Sequence, residues 1–395
     1  MGLSPTHVGL LLTGLLSVNT IAQESGASNS AAADYEVIEA PALTSTPTKI
    51  KSSVLIEIAA AGDRLVAVGD YGNIIYRDKK DSTWQQASVP TSVLLTSVTF
   101  FNQSVGYATG HHGVILKTTD GGSSWQRVMD GFRLLQLQKT FFQQQVENLQ
   151  AQIERAEQSD IADLEWDLDT AKFQLENVES ALSESGPTKP FLDLVALSTD
   201  HIIAVGAYNT LVISKDGGQQ WQLLNDRINN PDGYHLNAIA SQGDQVFIAG
   251  EAGNAYRSQD GGESWDAVAP PYPGSFFGTH FAKNGRIWLY GLRGNVFYSD
   301  TLGDSYQAVN STVGDNLSGG FTNADGDTWL VGNSGIMVEI TADGSVQAHQ
   351  HPSNSVLTDI VSVEGEKILT GRSGMLYWPV RQDEETLELM SQGAQ

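Results

Sequence analysis

Short apolar runs of strand length recur along most of the chain. At seven places two of them flank the same phrase: a glycine, two variable residues and, in all copies but one, a second glycine. The copies read VAVGDYGNIIYRD around Gly69, YATGHHGVILKTTD around Gly110, IAVGAYNTLVISKD around Gly206, FIAGEAGNAYRSQD around Gly250, WLYGLRGNVFYSD around Gly291, WLVGNSGIMVEI around Gly332 and LTGRSGMLYWPV around Gly371. Their first glycines lie 41, 96, 44, 41, 41 and 39 residues apart. A period near 40 with several short strands per unit predicts an all-β chain folded as a seven-bladed β-propeller over residues 34–395. Each unit supplies four strands, and the glycine pair marks the tight turn between the second and third.

The one long interval holds 55 extra residues, and there the period changes from two to between three and four. Leu135, Phe142, Val146, Leu149, Ile153 and Ala156 form one apolar seam, and Leu164, Leu168, Ala171, Leu175, Val178 and Leu182 a second. Such seams predict an antiparallel, coiled-coil-like helical hairpin over residues 131–185, inserted between blades two and three. At 1.5 Å per residue, about 25 residues per arm would project roughly 35 to 40 Å. The hairpin leaves on the side of the Gly-x-x-Gly turns. Phe141, Trp166 and Phe173 lie off the seams and are candidates for touching a partner. With 4 basic and 11 acidic residues the arm carries −7 and should avoid anionic headgroups, so a protein partner fits it better.

A second phrase, Ser/Thr-x-Asp-x-Gly-x-x-Trp, occurs as TTDGGSSW, SKDGGQQW and SQDGGESW. It falls between third and fourth strands. Asp120, Asp216 and Asp260 are expected to accept hydrogen bonds from turn amides. Gly122, Gly218 and Gly262 shape the turn, and Trp125, Trp221 and Trp265 pack under the neighbouring sheet. Degenerate copies, SDTLGDSY at Ser299 and RDKKDSTW at Arg77, favour a structural joint over a ligand site. The last unit lacks such a strand. DYEVIEAP, near the start, resembles SWDAVAP of the fourth unit, so Tyr35 to Ala40 are expected to supply the outer strand of blade seven and close the ring.

Residues 1–22, with an apolar run from Val8 to Val18, read as a signal peptide cleaved at Ala22, and residues 23–33 as a flexible linker. The run is too short to span a bilayer. Cysteine is absent, which removes disulfides, thiolate metal sites and cysteine nucleophiles. The expected address is the periplasm or an equivalent lumen. A net charge of −24 disfavours nucleic acid.

The Asp-x-Gly-x-x-Trp units are similar to the Asp-box (BNR) repeats of sialidase-type propellers. The seven-copy layout with its Gly-x-x-Gly turns resembles the photosystem II stability and assembly factor family and its bacterial relatives. The sialidase likeness implies an arginine trio and an Arg-Ile-Pro motif; the sequence offers Arg286-Ile287-Trp288, without the proline. The assembly-factor likeness implies a non-catalytic scaffold docking on the exported part of an inner-membrane complex. Bacterial relatives often accompany resistance-nodulation-division transporters, so a transporter accessory in the periplasm is the first reading. A photosystem assembly factor in the thylakoid lumen of an oxygenic organism is the alternative, and a sialidase-like glycoside hydrolase is the least favoured.

Other chemistry is sparse. His111-His112 is a surface turn pair without further ligands at metal spacing, and NADGD at Asn323 lacks the acids of a calcium loop. No cofactor, metal or catalytic residue is assigned. The candidate recognition surface is the rim formed by the variable turn residues Tyr71, His111, His112, Tyr208, Glu251, Arg293 and Arg372, together with the hairpin.

Overall fold

A computed structural model describes residues 35–380, apart from positions 47, 48, 50 and 82. The signal-peptide and linker assignments lie outside the described residues. Seven antiparallel sheets stand around one axis, six of four strands and one of three. The innermost strands are Leu55–Ala61, Leu95–Phe100, Phe191–Ala196, Leu236–Gln242, Phe276–Phe281, Leu317–Thr322 and Leu357–Val363. Each packs on the next, and the last packs on the first, so the ring closes. The second strands, such as Arg64–Gly69 and Ile287–Gly291, are almost wholly buried. Their unbroken apolar runs follow from having a blade on both faces.

The Asp-box turns join blade to blade. In blade two, Thr118 Oγ1 donates to Asp120 Oδ1 (2.8 Å) and accepts from Gly122 N (3.0 Å). Asp120 Oδ1 also accepts from Ser124 N (2.9 Å), and Trp125 Nε1 donates to Gly122 O (3.0 Å). The turn thus satisfies itself and leaves the indole free to cover blade one, where Trp125 lies in one core with Val66 and Val68. Trp221 does the same for blade two, donating to Val128 O at 3.3 Å, and Trp265 packs with Ile203 of blade three.

Tyr35 to Ala40 do not supply a closing strand to blade seven. Glu36–Glu39 form one helical turn between blades one and two, with Ile38 in the core of those blades. Ser92 N donates to Val37 O (2.9 Å) and Ala42 N to Val89 O (3.0 Å). Tyr35 sits edge-on to Phe132 and His112. The physical reason is brevity: Val37 and Ile38 within a four-residue stretch suit a helical turn as well as a strand. Blade seven therefore has three strands among the described residues, ending with Gly374–Trp378. Side chains hold the seam: Thr358 Oγ1 donates to Leu55 O (2.9 Å), Ile58 N donates to Asp359 Oδ2 (3.1 Å), and Trp84 packs on Tyr377 and Met375.

The insert forms helices α1, Gly131–Ile153, and α2, Ile161–Ser180. Asp130 caps α1 by accepting from Arg133 N at 3.0 Å, and Gly186, at φ +64°, ends the return arm. Leu168, Ala171 and Val178 are buried on the seam, and Lys139 pairs with Glu179 at 2.9 Å across the two arms. The root of α1 is part of the propeller, because Leu134 lies in the core shared by blades two and three.

Candidate functional site

The seven turns between second and third strands meet the connections entering each first strand, so both share one face of the ring. A Cβ on Gly113 would come within 2.7 Å of Gly131 Cα, at the hairpin root, and one on Gly72 within 2.0 Å of Thr91 O. The second variable residue of most turns is left-handed: Tyr71 (φ 55°), His112 (54°), Tyr208 (54°), Ala252 (54°), Arg293 (56°) and Ser334 (59°). A non-glycine residue there is strained by about 1 kcal/mol or more, and all of these residues but His112 are exposed.

The structure separates the predicted rim residues into two groups. Tyr71 and Tyr208 are about 60% exposed, and Arg293 and Arg372 are exposed as well. Lys189 Nζ stands 5.8 Å from the centre of the Tyr208 ring, and burial lowers the Lys189 pKa. The other three are engaged. His112 Nδ1 lies 2.8 Å from Pro187 O and buttresses the hairpin root. His111 is half-buried, and desolvation, followed by the neighbouring His112, lowers its pKa. Glu251 accepts from His235 N at 3.2 Å.

On the hairpin, Trp166 and Phe173 are 76% and 60% exposed. They lie seven residues apart, two helical turns along α2, on the side opposite the buried seam. Phe141 is a different case. It is half-buried against the core of blades two and three and stacks edge-on with Phe142, so its first task is anchoring α1. Its place one turn beyond Leu137 puts it off the hairpin seam but on the propeller-facing side of the root.

Sequence reasoning missed a group of carboxylates on the axis. A bulge near the start of each first strand turns the following residue toward the next blade. Glu57 Oε2 there accepts from Val98 N (2.6 Å), Asp193 Oδ2 from Ile239 N (2.8 Å) and Asp359 Oδ2 from Ile58 N (3.1 Å). Each acid covers an edge amide that the innermost strand would otherwise leave bare. Ser97 Oγ donates to Asp193 Oδ1 at 2.7 Å. Desolvation pushes all three carboxyls up, Asp193 to about 6 and Asp359 to about 7. The ring of Tyr290 fills the space over Gly278, and burial, then Asp359, raises its phenol well above the usual value. The signal was present as Leu55-x-Glu57, Phe191-x-Asp193 and Leu357-x-Asp359, but only an alignment of the repeats by their bulges exposes it. Among the described residues no group of His, Cys, Asp and Glu is placed to hold a metal ion, and no helix is long and apolar enough to cross a membrane.

Comparison with known families matches residues 76–148 and 184–275 to the family model described as photosynthesis system II assembly factor YCF48. No curated protein matches the chain. Among solved structures it is similar to YCF48 bound to a D1 peptide, at 14% identity and a TM-score of 0.55, covering 83% of this chain and 91% of that one. It is also similar to YCF48 from Cyanidioschyzon merolae, at 15% identity and a TM-score of 0.55, over 83% and 95%. The WD40 propeller domain of Doa1 aligns at 11% identity with a TM-score of 0.57, over 86% and 95%. At these identities the structural likeness speaks for the fold alone. The family match stops at 148 and resumes at 184, leaving out most of the hairpin. With its Asp-box joints and its seven sheets, the chain is a β-propeller that over those two stretches is similar to the photosystem II assembly factor family, and it carries a helical hairpin between blades two and three.

Proposed function

We propose that the protein is a non-catalytic scaffold that binds the exported part of a membrane complex through its turn-bearing face and its hairpin. One observation carries this reading: a face of exposed, left-handed Tyr71, Tyr208 and Arg293 stands beside a hairpin whose Trp166 and Phe173 point to solvent. Side chains held in a costly backbone conformation and left without cover suit recognition of a protein surface.

The client is the finer question. A transporter accessory is the first expectation from the sequence, and neither the family match nor the structural neighbours support it. The matched family description and the D1 peptide held by one neighbour favour a photosystem-type client. The compartment is then the one receiving the exported side of that complex. Affinity purification from solubilised membranes tests the reading. Replacing residues 142–175 by a short Gly-Ser linker keeps Leu134 and Phe141 on the propeller core and removes Trp166 and Phe173. The shortened protein should fold and lose the membrane client; retention of the client by the shortened protein would overturn the hairpin's part. Loss of Tyr71 and Tyr208 together, as alanines, should weaken capture without altering the melting temperature by more than a few degrees.

A further inference from the structure

The two helices of the hairpin differ in charge. Helix α1 carries Arg133, Lys139 and Glu147, whereas α2 carries Asp163, Glu165, Asp167, Asp169, Glu176 and Glu179 against one base, Lys172. Both nearby lysines are already engaged, Lys139 with Glu179 and Lys172 with Asp169 at 3.6 Å. Asp163, Glu165, Asp167 and Glu176 are exposed and make no ion pair among the described residues. The surplus of negative charge on α2 therefore has no counterpart within the molecule.

These acids are not scattered at random around the exposed rings. At 3.6 residues per turn, Trp166, Thr170 and Phe173 follow one line along the face of α2 turned away from α1. Thr170 Oγ1 donates back to Trp166 O at 3.0 Å, so its hydroxyl is satisfied within the helix and its methyl is left for a neighbour. The line thus holds two large rings, two turns or about 10 Å apart, with a low apolar step between them. Asp163 and Asp167 run along one side of it, and Glu165, Asp169 and Glu176 along the other. An apolar notch lies between two acidic banks.

That pattern narrows what can cover it. A second copy of this chain would bring the same acidic helix, so like charges would meet. An anionic lipid surface is repelled in the same way. We propose that the outer face of α2 docks a basic amphipathic helix of the client, which adds a third helix to the hairpin. An aliphatic side chain of the partner enters the notch over Thr170 between the two rings, and lysines or arginines on its flanks meet the acidic banks. This inference rests on the scaffold reading above and adds the chemistry of the segment that is held.

The probe is a labelled synthetic helix of about 20 residues, with leucine at heptad a and d positions and lysine on the flanks. It is titrated into the full chain at physiological salt and read by fluorescence anisotropy. Saturable binding is expected. Replacing both rings, Trp166→Ala with Phe173→Ala, leaves every charge in place and should weaken binding at least about tenfold. Thr170→Arg fills the notch with a charge of the partner's sign and should weaken it by a similar factor. All three positions are exposed, so the variants are expected to fold. A peptide of the same composition, its leucines scattered round the helix, keeps the charge and should also bind about tenfold more weakly. Equal binding by the parent and both variants, or equal binding of the two peptides, overturns the proposal. So does capture of phosphatidylcholine vesicles through the same two rings with no binding of the peptide. The membrane purification keeps the two claims apart. A client lost on shortening the hairpin, without peptide binding, refutes the basic helix and leaves the scaffold reading standing; a client retained by the shortened protein overturns the hairpin's part in capture and this inference with it.

Discussion

Replacing Asp359 by asparagine tests whether the axial carboxylates weaken the ring when ionised. Desolvation raises the Asp359 carboxyl from its usual 3.8 to about 7, against the hydrogen bonds from Ile58 N and Ile360 N, which lower it. A shift of roughly 3 pH units corresponds to about 4 kcal/mol. Asp359 is only half-buried, so about half of that, ~2 kcal/mol, is the realistic size. A carboxyl whose pKa is higher in the folded than in the unfolded chain adds stability that is complete below about pH 4 and is lost as pH rises through 7. The asparagine side chain of Asp359→Asn would present a neutral acceptor to Ile58 N at every pH. The variant should thus be more stable than the parent by ~2 kcal/mol at pH 8.5, and the gap should shrink steadily toward pH 5. Urea unfolding across that range measures it. A gap independent of pH, or a parent protein that gains stability between pH 6 and 8, would show that the carboxylates are not strained by burial.

Four further outcomes follow from the joints and the hairpin root. Asp260→Ala removes the acceptor of Ser264 N (3.0 Å) and the Ser264 hydroxyl, and should cost about 1–2 kcal/mol in urea unfolding. At Asp120 burial raises the pKa, but the Ser124 hydroxyl and amide and the Thr118 hydroxyl outweigh it and hold the net value below 3.8; that contribution is present above pH 4 and lost on acidification, so stability should fall again at low pH. Trp125→Ala empties the gap between blades one and two and should cost about 3–5 kcal/mol, seen as an earlier thermal transition. Gly113→Ala drives a Cβ toward Gly131 at a φ of +67°, and proteolysis should then cut near the hairpin root faster than in the parent.

Blade number, strand order and the hairpin can be read from the chain because their signals are local. A glycine every 40 or so residues and a change of apolar period need no knowledge of distant contacts. The closing strand is misread because four residues, Glu36 to Glu39, carry too little pattern to choose between helix and strand, and what decides is the hydrophobic niche that receives Ile38. Phe141 is misplaced for a related reason: the heptad seam describes how two helices meet, not what lies behind the root of one. The axial acids are invisible one unit at a time. In the sequence Glu57 differs from the surface acids only by its register after a bulge.

The left-handed turn residues also set rules for how such a surface can diversify. A proline is excluded at Tyr71, Tyr208 or Arg293, since φ near +55° lies outside its ring-locked range, and branching at Cβ is disfavoured there by crowding against the backbone. Most other side chains can be exchanged there without disturbing the strands, which are secured by their own burial. These blades thus behave as sockets with interchangeable bits, and a library restricted to unbranched residues at these three sockets could retarget the molecule while leaving its frame alone.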